Sequence, residues 1–193
     1  MDLSKEKILS IFQETGALLQ GHFILTSGLH SDTYFQCAKV FQYPWHSESL
    51  CEGISNHFKD KKIDVVVSPA VGGIIVGQEI ARLLKTRAVF TERVDGKMTL
   101  RRGFEISGGE NVLVAEDVTT TGGSVQEVIE SVRKNGGQII AVASIVDRSG
   151  GKIQFDVPYF SLFQMEVKNY PSDLCPLCQS GSMPVKPGSR GLK

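Results

Sequence analysis

Between Val112 and Ser124 the chain passes from four apolar residues, Val112-Leu113-Val114-Ala115, to two acids, Glu116-Asp117. It then enters Val118-Thr119-Thr120-Thr121-Gly122-Gly123-Ser124. A Thr/Gly/Ser loop that leaves a strand and opens a helix offers backbone N–H groups and hydroxyls to an anion. Glycine lets the main chain approach a phosphate closely. The acids repel a bare phosphate, so they make sense beside sugar hydroxyls, a magnesium ion or a developing cation. The plainer alternative is a capped helix with two acids in a solvated turn. Two acids beside six consecutive small polar or glycine residues favour the anion site. No Lys follows the glycines, so this is not a Walker loop.

Four other segments carry chemistry. Pro69-Ala70-Val71-Gly72-Gly73 follows the β-branched run Ile63 to Val67, and its glycines free main-chain amides for an anion. Thr91 to Phe104 holds Arg93, Lys97, Arg101 and Arg102 around Asp95-Gly96. Turn residues and long cations without an apolar stripe predict a mobile exposed loop. Asp147-Arg148 ends the apolar run Ile139 to Val146. An arginine at a strand's carboxyl end suits a two-pronged contact with a carboxylate, the alternative being a surface ion pair of little worth. Finally, Cys175-Pro176-Leu177-Cys178 is half a zinc site. No second pair follows, Cys37 and Cys51 lack the spacing, and His22, His30, His46 and His57 form no clear metal set. Plain thiols in a packed tail are expected, with a zinc shared between two chains as the other possibility.

The elements that must position these groups can be read from periodicity. Ile8, Leu9 and Phe12 share a face of a helix over 4–15, capped by Ser4 and ended by Gly16. Leu18 to Gln36 reads as short strands and turns. Leu50, Ile54 and Phe58 mark a helix over 48–59. Strands at 63–67, 88–90, 111–116 and 139–146 alternate with helices at 73–85 and 124–135. That order implies right-handed crossovers and a parallel sheet covered on both faces. One or two further strands fall within 153–168, with Pro158 as a break. The predicted organisation is one α/β domain: an N-terminal helix and hood segment over 1–40, a core over 41–170 and an irregular Cys/Pro/Gly tail over 171–193.

Composition narrows the classes. The chain has 193 residues, of which 41% are hydrophobic and 22% charged, which excludes a disordered or collagen-like polymer. Lys plus Arg equals Asp plus Glu at 21 each, which disfavours a generic nucleic-acid binder. No apolar run is long enough to span a membrane, and no secretory signal is evident, so a cytoplasmic location with reduced thiols is expected.

The strand, acid pair and Thr/Gly loop of 112–124 resemble the phosphoribosyl-diphosphate signature of the type I phosphoribosyltransferases. The resemblance implies their fold, a central mainly parallel sheet flanked by helices with a small N-terminal hood. It also implies ribose binding by Glu116 and Asp117, with a catalytic role for Asp117, and 5′-phosphate binding by the loop from Val118 through Thr119, Thr120, Thr121, Gly122 and Gly123 to Ser124. Glu116 stands where many members have Asp. Residues 69–73 fall where the family holds diphosphate, which implicates Gly72; Val71-Gly72 replaces a Tyr-Lys pair found in some members.

Within that family, Phe23 to Phe35 is similar to the N-terminal segment of orotate phosphoribosyltransferases, where aromatics (here Tyr34 and Phe35) pack on the pyrimidine. Arg148 matches their orotate-binding arginine, with Thr120 beside it. Residues 91–104 look like their catalytic loop. Lys97 would close over the diphosphate, in the partner subunit's site of a homodimer, and Arg93 would be a further ligand. The tail, including Lys186-Pro187-Gly188-Ser189-Arg190, resembles the extension of one bacterial and archaeal branch. The implied activity is transfer of phosphoribosyl from phosphoribosyl diphosphate to N1 of orotate, in pyrimidine biosynthesis. Mg2+ would be held mainly by the substrate diphosphate, and no protein metal site, nucleic acid or membrane would be involved. The alternatives are a purine phosphoribosyltransferase and a regulatory protein of the same fold that binds nucleic acid.

Overall fold

The structure is a computed structural model that describes residues 3–25 and 27–187. Thr26 of the hood segment and Gly188, Ser189 and Arg190 of the tail motif lie outside the described residues. Helix α1 (Lys5–Glu14) begins where the Ser4 side chain accepts from the Lys7 amide, 3.3 Å away. Strands β1 (Leu18–Ile24) and β2 (His30–Phe35) pair antiparallel. Helices α2 (Ala38–Phe41) and α3 (Pro44–Phe58) lead into the α/β core.

The core contains β3 (Val65–Pro69), α4 (Gly72–Leu84), β4 (Arg87–Val94), β5 (Lys97–Leu100), β6 (Asn111–Thr119), α5 (Gly123–Lys134), β7 (Gln138–Asp147) and β8 (Tyr159–Gln164). The six strands lie in the order β5-β4-β3-β6-β7-β8, and every neighbouring pair except β4–β5 is parallel. Apolar residues occupy both faces. Val65, Val67, Val112 and Val114 pack with Val125, Val128, Ile129 and Val132 of α5. Val66, Leu113 and Ala115 face the opposite way, toward Ile54, Val76 and Ile80 of α3 and α4. Successive residues of one strand thus bury into different layers, which is why these strands read as unbroken apolar runs.

One sequence expectation is corrected. Residues 91–104 are not a free loop from Thr91 to Leu100, because β4 and β5 form a hairpin with Arg93 opposite Met98 and Val94 opposite Lys97. Asp95 and Gly96 both take positive φ, 48° and 81°, as a two-residue hairpin turn demands. Met98 supplies the apolar anchor that the charge-rich reading overlooked, since it is buried against the α5 layer.

The tail is also more ordered in its pairing than its composition suggests. Strand β9 (Asn169–Tyr170) pairs antiparallel with β2, making a three-stranded hood sheet β1-β2-β9. A 3-10 turn (Ser172–Leu174) and the short helix α6 (Pro176–Gln179) follow. Val185 then lies along β1, donating to the His22 carbonyl at 2.8 Å and accepting from the Ile24 amide at 2.9 Å. Among the described residues no helix is long and apolar enough to cross a membrane.

Candidate functional site

Strand order places the site. From β3 the chain moves outward to β4 on one side, and then returns to place β6 on the other. The carboxyl ends of β3 and β6 therefore diverge, and a crevice opens where ligands bind in such sheets. Glu116 and Asp117 sit near the end of β6. Thr120 and Thr121 form an exposed turn, and Gly122, with φ 78°, starts α5. Glu116, Val118, Thr119, Gly123 and Ser124 join Thr120, Thr121 and Gly122 in lining a polar cleft of about 70 Å³. The helix begins with free N–H groups at that cleft, the arrangement that attracts an anion.

Across the crevice, Gly72 opens α4 beside the Asp117 carboxylate. A β-carbon on Gly72 would stand 2.6 Å from Asp117 Oδ2, so a larger residue there would push that carboxylate aside. Asp117 Oδ1 also accepts from the Val118 amide at 2.9 Å, which fixes its direction. Glu116 is half-buried, but its Oε2 is shut off from solvent and has no hydrogen-bond partner among the described residues. Burial, with Asp117 adjacent, pushes its pKa from 4.5 up to about 10. Such an acid carries no charge at neutral pH and awaits polar partners.

The loop residues are not equivalent. Thr119 is buried, and its hydroxyl bonds to the Tyr159 hydroxyl and lies 3.5 Å from Ser144 Oγ. Its side chain is thus committed to the core side, whereas Thr120, Thr121 and Ser124 are exposed. Alternation along β6 could have separated them, since Thr119 is the last residue of the strand.

Arg148 follows β7 and is anchored by its amide, which donates to the Thr119 carbonyl at 2.9 Å. Its Nε is buried without a partner, and desolvation lowers its pKa, opposed by the nearby Tyr34 phenol. No ion pair forms with Asp147. That carboxylate is wholly buried and accepts from the Ser149 amide (2.7 Å), the Ser149 hydroxyl (2.6 Å) and the Gly151 amide (3.0 Å). Asp147 therefore shapes the turn that presents Arg148, a role the sequence reading missed. The signal was present as Asp-x-Ser-x-Gly, a carboxylate capping its own following turn. Thr120, Thr121 and Arg148 line a cavity of about 270 Å³ with Lys152 and Asn169.

Tyr34 and Phe35 separate. Tyr34 is half-buried, its hydroxyl donates to Gln36 at 2.8 Å, and it lines a 420 Å³ cavity with Leu19 and Pro187. Phe35 points into the core edge-on to Phe12, with ring centroids 4.7 Å apart. The expectation that both aromatics face a ligand is corrected, because consecutive strand residues take opposite faces.

The cations of the hairpin also divide. Arg93 is held by Glu127 of α5 at 2.8 Å and by the Gly96 carbonyl, so its guanidinium is engaged on the helix. Arg102 pairs with Glu92 at 2.9 Å. Lys97 is exposed and makes no ion pair among the described residues.

Away from the crevice, His22 and His30 meet Cys175 and Cys178, all four donor atoms within 4.8 Å of one another. The expectation that the histidines form no metal set is corrected here, since two of them meet both tail cysteines. The signal was undetectable by spacing, since the histidines lie some 150 positions before the cysteines.

The Phosphoribosyl transferase domain family model matches residues 45–175. The chain is 56% identical over 190 residues to an orotate phosphoribosyltransferase of Caldanaerobacter subterraneus subsp. tengcongensis, covering 98% of this chain and all of that one. It is 53% identical to an orotate phosphoribosyltransferase of Chlorobium phaeobacteroides, with 97% of each covered. The solved orotate phosphoribosyltransferase of Aeropyrum pernix superposes with a TM-score of 0.67 at 22% identity, over 81% of this chain and 93% of that one. At that identity the structural likeness speaks for the fold.

Proposed function

The chain belongs to the orotate phosphoribosyltransferases of the phosphoribosyl transferase family, and from that membership we propose that it transfers phosphoribosyl from phosphoribosyl diphosphate to N1 of orotate. Orotidine 5′-phosphate and diphosphate are the products. The observation that carries the assignment of the sites is the pairing of two unsatisfied groups across one crevice. Glu116 Oε2 lacks a partner beside the phosphate cleft, and Arg148 Nε lacks one beside the adjoining cavity. A ribose supplies hydroxyls to the first. A planar carboxylate, as on orotate, supplies acceptors to the second.

In this reading Thr120, Thr121, Gly122, Gly123 and Ser124 hold the 5′-phosphate at the start of α5. Thr119 contributes its main chain, its hydroxyl being committed. Asp117 and Glu116 grip the ribose hydroxyls, and Gly72 leaves room for the diphosphate. Arg148 and Tyr34 orient orotate, and Phe35 supports Tyr34's strand from the core.

Bond breaking at the anomeric carbon builds positive charge on the ribose and negative charge on the leaving diphosphate. The acid pair faces the first, and Lys97, free of ion pairs, would approach the second as the hairpin moves. Arg93 joins only if it exchanges Glu127 for the diphosphate. The hard carboxylate oxygens of Asp117 fit Mg2+, which would be held mainly by the diphosphate and would offset its charge as a Lewis acid, while the uncharged Glu116 would serve the ribose hydroxyls. The enzyme would act as a homodimer in which the hairpin serves the partner's site.

The test is consumption of orotate, followed by its ultraviolet absorbance, with phosphoribosyl diphosphate and Mg2+. Adenine, guanine and hypoxanthine serve as competing acceptors. Turnover of a purine with none of orotate would overturn the assignment.

A further inference from the structure

The cluster at the junction of hood and tail lies apart from the crevice and plays no part in the proposed reaction. His22 comes from β1, His30 from the start of β2, and Cys175 and Cys178 flank and enter α6. We propose that His22 Nε2, His30 Nδ1, Cys175 Sγ and Cys178 Sγ form a tetrahedral zinc site that fastens the tail to the hood.

Distances support this first. Zinc bonds of about 2.3 Å to sulfur and about 2.0–2.1 Å to nitrogen set ligand–ligand edges of roughly 3.3–3.8 Å in a tetrahedron. Cys175 Sγ and Cys178 Sγ lie 3.5 and 3.7 Å from His22 Nε2, and Cys178 Sγ lies 3.2 Å from His30 Nδ1. The two ring nitrogens are 2.9 Å apart and would open slightly around an ion.

Hydrogen-bond accounting supports it independently. His22 Nδ1 lies 3.0 Å from the Ser182 carbonyl, which can only accept, so Nδ1 carries the proton and Nε2 presents a lone pair. Three groups converge on that lone pair: His30 Nδ1, Cys175 Sγ and Cys178 Sγ. One in-plane lone pair cannot serve three donors. A single cation at the centre satisfies all four atoms. The Ser182 carbonyl is then the outer partner that orients a metal-bound imidazole.

Charge and burial agree. His22, His30 and Cys175 are buried. Binding releases one proton from each thiol, and Zn2+ with two thiolates and two neutral imidazoles has no net charge. That cluster can be buried without an unpaired ion. Two sulfur ligands select against Mg2+ and Ca2+. The backbone around the cluster is already stitched by Val185 to β1 and by β9 to β2. The ion would lock a junction from which Pro187 reaches the cavity shared with Tyr34.

The experiment uses the full chain, reduced and stripped of metal. Titration with Co2+ should give tetrahedral d–d bands and a thiolate-to-metal charge-transfer band, saturating at one ion per chain and bleached by Zn2+. The doubly substituted Cys175→Ser/Cys178→Ser chain should lose these bands, and His57→Gln, outside the cluster, should keep them. Stripping zinc from the wild type should lower Tm by about 5 °C or more. Wild-type protein that takes up no Co2+, or gives octahedral bands without charge transfer, would overturn the proposal. So would unchanged bands in the double variant. The wild-type titration stands whether or not that variant folds.

Discussion

Replacing Glu116 by glutamine would measure what it costs the fold to enclose that carboxyl. In the folded chain burial, with Asp117 beside it, raises its pKa from 4.5 to about 10. Between those values the unfolded chain has released the proton and the folded chain has kept it. The folded state then binds more protons, so stability falls as pH rises. The contribution is complete below the unfolded pKa and disappears as pH climbs through the folded one. The slope is ~1.4 kcal/mol per pH unit, so moving from pH ~5.5 to pH ~8.5 costs at most ~4 kcal/mol. Local relaxation and entry of water would reduce this to about 2–4 kcal/mol. Glutamine keeps the shape and one acceptor but does not titrate. Urea unfolding of both proteins at the two pH values gives the difference of differences. Glu116→Gln should gain about 2–4 kcal/mol on the wild type between acid and alkaline conditions. Parallel pH profiles, within about 0.5 kcal/mol, would refute the claim that burial beside Asp117 holds this carboxyl in its protonated form.

Three further outcomes follow from the same geometry. Arg148→Met should raise KM for orotate about tenfold to a hundredfold while leaving KM for the sugar donor nearly unchanged, because a charge-assisted pair is worth roughly 1.5–3 kcal/mol. The same variant should not be less stable without ligand, since it removes a buried nitrogen that has no partner; steady-state kinetics and urea unfolding read the two effects. Gly72→Ala forces a β-carbon to within 2.6 Å of Asp117 Oδ2, so it should damage donor KM more than orotate KM. Lys97→Ala should lower kcat by about tenfold or more with Tm unchanged, because the side chain is exposed, makes no ion pair among the described residues, and in the proposed mechanism would approach the developing charge on the diphosphate.

The sheet and its helices were legible because both faces are covered. Val65 to Val67 and Val112 to Ala115 show no alternation, and that pattern belongs to parallel strands buried on two sides. The acid pair and its loop were legible for a different reason, since one short segment carries the strand end, the turn and the helix start. The hairpin was misread because its charges outnumber its single anchor, Met98, and the Asp95-Gly96 turn signal was taken for a loop. Phe35 was misplaced by treating neighbours in a strand as neighbours in space. Asp147 and the His/Cys cluster depend on where a buried carboxylate turns and on which distant segments meet. Neither is a property of local spacing.

The hood sheet joins strands that are made at very different times. Ser31 donates to the Lys168 carbonyl, 137 positions further along, and β9 completes an edge begun by β1 and β2. During vectorial synthesis all six strands of the main sheet are made before β9, the last strand of the hood. The hood then remains an unfinished hairpin with an open edge until residues beyond 168 emerge. A nascent chain halted before Asn169 would thus possess the cleft at the start of α5 but lack the third strand of the hood sheet, and limited proteolysis of such an intermediate should cut first between β1 and β2.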